Sequence, residues 1–131
     1  MIRRAVSLIS ALAVLVFALA LAGCSSYVSS YKATGFVHSN MPRSSFMSFS
    51  SFDGRMTFKM KTEGRLDYSL RLGSGSAAVF CDFGGTKTEL CGVKSGEEIS
   101  SSAALPGKGT VWVIVETDGE CLNGDFSFRT E

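Results

Sequence analysis

The sequence has few of the residues on which enzyme and metal sites usually depend. It contains one histidine, His38, and four cysteines, none of which form a Cys-x-x-Cys pair. The Gly-x-Ser-x-Gly turn that presents a serine nucleophile in many hydrolases is also missing. A lone imidazole leaves a serine or cysteine nucleophile with one candidate base, and structural zinc sites use clustered cysteines and histidines. We therefore expect a non-enzymatic protein without a metal or cofactor.

Long hydrophobic runs are confined to the N-terminus. Arg3 and Arg4 precede an uncharged apolar stretch over residues 5–20, which is shorter than the run of about 20 residues that a membrane-spanning helix needs. A short positive segment followed by an apolar core of this length is typical of a signal peptide. The tetrapeptide Leu21-Ala22-Gly23-Cys24 follows at once. It resembles the lipobox of bacterial lipoproteins, in which an aliphatic and two small residues precede the cysteine that is diacylated before cleavage.

The resemblance implies an exported chain that is anchored to a membrane by lipid on Cys24. Residues 1–23 would form a helical signal peptide, and the Ser-rich residues 24–32 would tether the lipid to a domain over residues 33–131. The anchored protein would face outward from the plasma membrane, or lie in the outer membrane of a two-membrane bacterium. Removing 23 of the 131 residues leaves 108 and takes away two arginines, so the net charge changes from +1 to −1. Export and near-neutral charge both argue against a nucleic-acid partner.

After the tether, turn signals recur at intervals of about ten residues, as in antiparallel sandwiches and barrels. They are Asn40-Met41-Pro42-Arg43, Asp53-Gly54, Glu63-Gly64, Gly73-Ser74-Gly75, Gly84-Gly85, Ser95-Gly96, Pro106-Gly107 and Asp118-Gly119. Apolar residues occupy every second position over residues 65–72, which is typical of a strand with one packed and one wet face. We predict an all-β fold of about eight antiparallel strands in two packed sheets, with jelly-roll-like topology.

The exported part also resembles known small domains. Gly73-Ser74-Gly75-Ser76 before a strand and the segment 113–119 near the end are similar to features of small all-β lipoprotein domains of unassigned function. The strand rhythm over residues 33–131 looks like that of the jelly-roll sandwiches in carbohydrate-binding and pre-peptidase C-terminal domains. Because this second resemblance includes no motif, it transfers no functional residue.

Three cysteines remain besides the lipidated one, and they allow at most one internal disulfide. If Phe83 pairs with Glu89 across a five-residue loop, Cys81 falls opposite Cys91, close enough to form a disulfide bond. We expect this bridge, with Cys121 left as a thiol. The alternative joins Cys121 to one of the other two.

Charge is distributed unevenly along the exported chain. Residues 24–75 carry a net charge of +4, whereas residues 76–131 carry −5. Five cations of the first half are expected on the polar face of two adjacent strands: Arg55, Lys59, Lys61, Arg65 and Arg71. Such a basic face could bind an anionic envelope polymer, a glycan or lipid headgroups. The alternative is a solvated face that charge protects from edge pairing.

Trp112, the single tryptophan, lies in a continuously apolar strand over residues 111–115. Alternation places Val111, Val113 and Val115 on one face, and Trp112 and Ile114 on the other. We expect Trp112 in the core, because most tryptophans are largely buried. In the opposite orientation the valines form the core and the indole lies outside, where a sugar ring can stack on it.

Two functions are compatible with these features. The first is a non-enzymatic envelope module, anchored by lipid, that binds a glycan, an anionic polymer or a protein. The second is a structural or assembly subunit of an envelope complex. An exposed aromatic strip would favour the binding module, and a broad flat apolar patch would favour the accessory subunit.

Overall fold

Nine β-strands make up most of residues 27–131, the part of the chain that the computed structural model describes. They are β1 Ser30–Thr34, β2 Val37–Asn40, β3 Ser44–Thr62, β4 Arg65–Ser74, β5 Ser76–Phe83, β6 Thr86–Lys94, β7 Glu98–Ala104, β8 Gly109–Thr117 and β9 Cys121–Thr130. The all-β prediction is confirmed, with nine strands where about eight were expected. The expected signal peptide and Cys24 lie outside the described residues. Within residues 27–131, no helix is long and apolar enough to cross a membrane.

The strands form one antiparallel sheet in the order β6-β5-β8-β3-β9-β4-β7, with β1 and β2 also paired to β3. The sheet curves until its two edges approach each other, and the turn from β6 to β7 connects them. In this turn the Gly96 amide donates to the Leu72 carbonyl at 2.8 Å, and the Leu72 amide donates to the Glu97 carbonyl at 3.1 Å. The result is a nearly closed barrel with continuous hydrogen bonding, whereas two separate sheets were expected.

The 19-residue strand β3 belongs to both halves of this barrel. Residues 44–52 pair with β9, and residues 55–62 pair with β8. The inward face changes along the strand, from Met47 and Phe49 to Phe52 and Met56, all of which are buried. Gly54 permits β1 to approach closely at this point, because a Cβ there would lie 2.2 Å from the Ser30 carbonyl oxygen.

The core fills the space between the two halves with apolar side chains from every long strand. Its largest fully buried members are Phe52, Phe58, Phe126, Phe128, Met47, Met60, Leu66, Leu70, Leu72, Val79 and Val93. The period-two pattern over residues 65–72 is confirmed, since Leu66, Leu70 and Leu72 all point inward from β4. The ordered domain begins before residue 33, because residues 27–32 already contact the sheet.

The expected Cys81–Cys91 disulfide is not formed, and Cys81, Cys91 and Cys121 are free thiols. The expectation assumed a five-residue loop, but the β5–β6 hairpin turns through only Gly84 and Gly85, both with positive φ. Cys81 therefore pairs with a threonine. A bulge then shifts the register, so that Cys91 lies opposite Val79.

Candidate functional site

Strand β8 presents its valines to the core. Val111, Val113 and Val115 are fully buried in the core cluster, whereas Trp112 and Ile114 point outward. The expectation that Trp112 fills the core is therefore wrong, since the smaller valines fit the tight space between the barrel halves. Trp112 is half-buried and Ile114 is completely buried although both face outward. Another segment must therefore cover this surface.

That segment consists of residues 27–29, here called the strap. The strap face consists of the outward side chains of β3 residues 55–61 and of β8, β5 and β6. The Tyr27 hydroxyl donates to Asp82 on β5, and its ring centroid lies 5.7 Å from that of Trp112 on β8. The Ser29 hydroxyl oxygen accepts the Thr57 amide of β3 at 2.9 Å. Since β8 lies between β5 and β3, the strap crosses β8 and covers its outward apolar side chains.

Asp82 is a buried carboxylate beneath the strap, with 8% of its surface exposed. One carboxylate oxygen accepts the Tyr27 hydroxyl, and the other accepts the Gly85 amide at 2.9 Å. Burial of the phenol, together with the hydrogen bond and the charge of Asp82, raises the pKa of Tyr27 to about 12. Tyr27 is therefore a protonated donor at neutral pH, and the buried carboxylate is satisfied on both oxygens.

The five cations predicted to share a basic face are separated in the structure. Strand β9 lies between the first half of β3 and β4, so Arg65 and Arg71 are not next to the cations of β3. Arg55 is 2.7 Å from Glu116 on the neighbouring strand. Among residues 27–131, Lys59 and Lys61 form no ion pair, and the Lys59 ammonium lies 5.9 Å from the Trp112 ring.

Arg65 and Arg71 are neutralised by nearby carboxylates. Arg65 forms two hydrogen bonds of 2.9 Å with Asp67, which lower the pKa of that carboxyl. Arg71 forms an ion pair with Asp125 on β9. A continuous basic surface is therefore absent from the described residues, although ligand binding by the individual cations stays a prediction.

The opposite side of the barrel carries an open groove. The groove face consists of the outward side chains of β2, β3 residues 44–48, β9, β4 and β7. One cross-strand row consists of Val37, Ser48, Asp125, Arg71 and Glu98. The next consists of Ser39, Phe46, Ser127, Ser69 and Ser100. These rows enclose a shallow depression of about 300 Å³.

The polar groups of the groove lie in two neighbouring rows. Hydrogen bonds from the Ser48 hydroxyl and the Arg71 guanidinium lower the pKa of Asp125. Arg71 also pairs in register with Glu98 on β7, so one cation lies between two carboxylates. In the neighbouring row the Ser69 and Ser100 hydroxyl oxygens are 3.2 Å apart. The groove therefore combines fixed charges with several hydroxyl donors and acceptors, and its local charge is slightly negative.

Phe46 gives the groove an apolar surface. Phe46 lies near the start of β3 and is 40% exposed, and Val37 on the neighbouring strand β2 is 59% exposed. Of the groove residues only Arg71 was a candidate from the sequence, and it was assigned to a basic face. The Ser-rich, aromatic-rich stretch over residues 44–52 is the signal that could have identified Phe46, because it offers polar and apolar side chains to both faces.

His38 lies outside this groove. It is exposed on β2, and its imidazole stacks on Phe36 at a centroid distance of 4.9 Å. Within residues 27–131, no three His, Cys, Asp or Glu side chains are placed to hold a metal ion.

Comparison with known proteins yields no matching family model and no matching curated protein. Solved structures with a related strand arrangement include the cupin-2 domain protein of Shewanella frigidimarina, with 10% identity, a TM-score of 0.37, and coverage of 76% of this chain and 83% of that chain. TmCBM61, solved with β-1,4-galactotriose, has 15% identity, a TM-score of 0.42, and coverage of 72% and 68%. CBM29-2 has 10% identity, a TM-score of 0.39, and coverage of 79% and 84%. At these scores the similarities assign neither a family nor a function.

Proposed function

We propose that this chain is a lipoprotein anchored through Cys24, and that its domain is a non-catalytic module that binds a neutral, hydroxyl-rich ligand such as an envelope oligosaccharide. The observation that carries the proposal is the groove in which Phe46 lies beside the Arg71–Asp125 pair. An aromatic ring can stack on the apolar face of a sugar, while fixed charges and hydroxyls bind its oxygen atoms.

The charge of the groove favours a neutral ligand. Arg71 is already paired with Asp125 and lies beside Glu98, so an anionic polymer would meet two carboxylates around a cation that is already paired. The groove is also a shallow, open depression of about 300 Å³, which suits a segment of a longer chain better than a small molecule that needs enclosure. These features support an oligosaccharide over the anionic polymers considered from the sequence.

The same geometry supports binding without catalysis. Glycoside hydrolysis needs one carboxylic acid whose pKa is raised so that it can donate a proton. In this groove the hydrogen bonds from Ser48 and Arg71 instead lower the pKa of Asp125. Asp125 is therefore suited to accept hydrogen bonds from a ligand and poorly suited to act as a general acid.

An array of neutral and anionic oligosaccharides tests the groove. The protein extracted from membranes should bind neutral glycans, and Phe46→Ala or Arg71→Ala should abolish that binding while leaving the melting temperature nearly unchanged, because both side chains are exposed. Lys61→Ala on the other side of the barrel is the matched control and should bind like the wild type. Wild-type binding by both groove variants would contradict the proposed site.

Mass spectrometry tests the anchor separately. The proposal predicts an N-terminal peptide that begins at Cys24 and carries diacylglycerol. Cys24→Ala should leave the precursor unprocessed. Mature protein cleaved at another position in wild-type cells would overturn the lipoprotein assignment, whatever the outcome of the glycan experiment.

A further inference from the structure

The strap fixes where the chain leaves the domain on its N-terminal side. Tyr27 is held on the strap face by its hydrogen bond to Asp82 and its contact with Trp112. Only two residues separate Tyr27 from Cys24. Three Cα–Cα steps span at most about 11 Å even when fully extended. A lipid on Cys24 would therefore lie within that distance of the strap face.

The side chains around the strap suit a membrane surface. Lys59 and Lys61 are exposed and, within the described residues, are not matched by a carboxylate in an ion pair. Both project from β3 on the strap face, and Lys59 lies next to the half-buried Trp112. Lysines with free ammonium groups are attracted to anionic lipid headgroups, and tryptophan is enriched at the membrane–water interface.

We infer that the strap face lies against the anionic headgroups of the membrane that holds Cys24. The inference rests on the proposed lipidation, and it adds an orientation. Because the strap face and the groove face are the outer surfaces of opposite halves of the barrel, the groove points away from the membrane. The short connection places the basic lysines at the bilayer, and the ligand-binding groove is left open to envelope polymers.

Fluorescence of Trp112, the single tryptophan of the chain, tests this orientation. Lipidated protein is reconstituted into vesicles of equimolar phosphatidylcholine and phosphatidylglycerol that contain a phosphatidylcholine with a nitroxide on its headgroup. We expect severalfold stronger quenching of Trp112 than of a tryptophan placed in the groove by Phe46→Trp in a Trp112→Phe background. Lys59→Glu with Lys61→Glu should reduce the quenching of Trp112, and high salt should do the same in the wild type.

Flotation with the vesicles separates the two proposals. Protein that fails to float, and whose N-terminal peptide lacks lipid, shows that the lipid anchor is wrong. Protein that floats with lipid on Cys24 but shows equal quenching at the two tryptophan positions overturns the orientation and leaves the anchor standing. Stronger quenching from the groove position would show that the opposite face lies on the membrane.

Discussion

Replacing Tyr27 by phenylalanine removes the hydroxyl that fastens the strap while keeping its ring against Trp112. The lost hydrogen bond has a carboxylate acceptor that is 8% exposed. Bonds to charged groups contribute about 1.5–3 kcal/mol, and the lower end applies because Tyr27 is only half-buried. Since about 1.4 kcal/mol corresponds to a factor of ten, strap opening should become roughly tenfold more frequent.

Hydrogen exchange at single amides measures this opening. The Thr57 amide donates to Ser29 in the strap at 2.9 Å, and the Lys59 amide, two residues along β3, donates to the Asn40 side chain at 3.1 Å. In Tyr27→Phe the Thr57 amide should exchange about tenfold faster, in line with the lost bond. The Lys59 amide is the internal control and should keep its rate. Unchanged exchange at Thr57 would refute the conclusion that the hydroxyl holds the strap.

The raised pKa of Tyr27 makes the same contact sensitive to alkaline pH. A phenol whose pKa is higher in the folded state contributes stability that is complete below its unfolded value, about 10. That contribution is lost as the pH rises from about 10 to about 12, because the phenol ionises at a lower pH when it is released from Asp82 than when it is bonded to it. Iodide quenching of Trp112 should therefore increase over this interval. Tyr27→Phe should lack that increase. Identical quenching curves for the two proteins would show that the Tyr27 hydroxyl does not hold the strap.

Further predictions concern the interior. Gly124→Ala places a Cβ 2.2 Å from a buried phenylalanine ring and should cost about 1–3 kcal/mol in urea denaturation. Gly107→Ala, which meets no atom within 4 Å, should be neutral, and equal stability of the two variants would contradict the packing. In thiol labelling of the native protein, Cys91 should react before Cys81 and Cys121, which are buried. A Cys81–Cys91 disulfide in non-reducing peptide maps would show that the β5–β6 register is wrong.

Features that depend on neighbours in the chain could be predicted from the sequence. The alternation over residues 65–72 predicts β4 with its leucines inward, and the turn signals predict most strand ends. Alternation of apolar and polar residues can be read from consecutive positions, so a short stretch of sequence suffices to identify a half-buried strand. The all-β fold follows from the repetition of this pattern.

Features that depend on pairing between distant segments could not be predicted in this way. The orientation of Trp112 is set by the narrow space between the barrel halves and by the strap, 85 residues earlier in the sequence. The Cys81–Cys91 pairing was wrong because the β5–β6 turn has two residues where five were expected, which places Cys81 opposite Thr88. The groove was missed because β9 inserts between β3 and β4, which brings Phe46 and Arg71 to one surface.

Chemical-shift mapping of the ¹⁵N-labelled protein with its best neutral oligosaccharide tests the binding proposal most directly. The titration follows every backbone amide at once, so it locates the ligand without assuming a site. If the proposal is right, the largest shifts cluster on the groove face, at Phe46, Ser69, Arg71 and Ser127, and the amides of the strap face stay unchanged. Shifts centred on Trp112 and the strap would contradict it, because they would place the ligand on the side assigned here to the membrane.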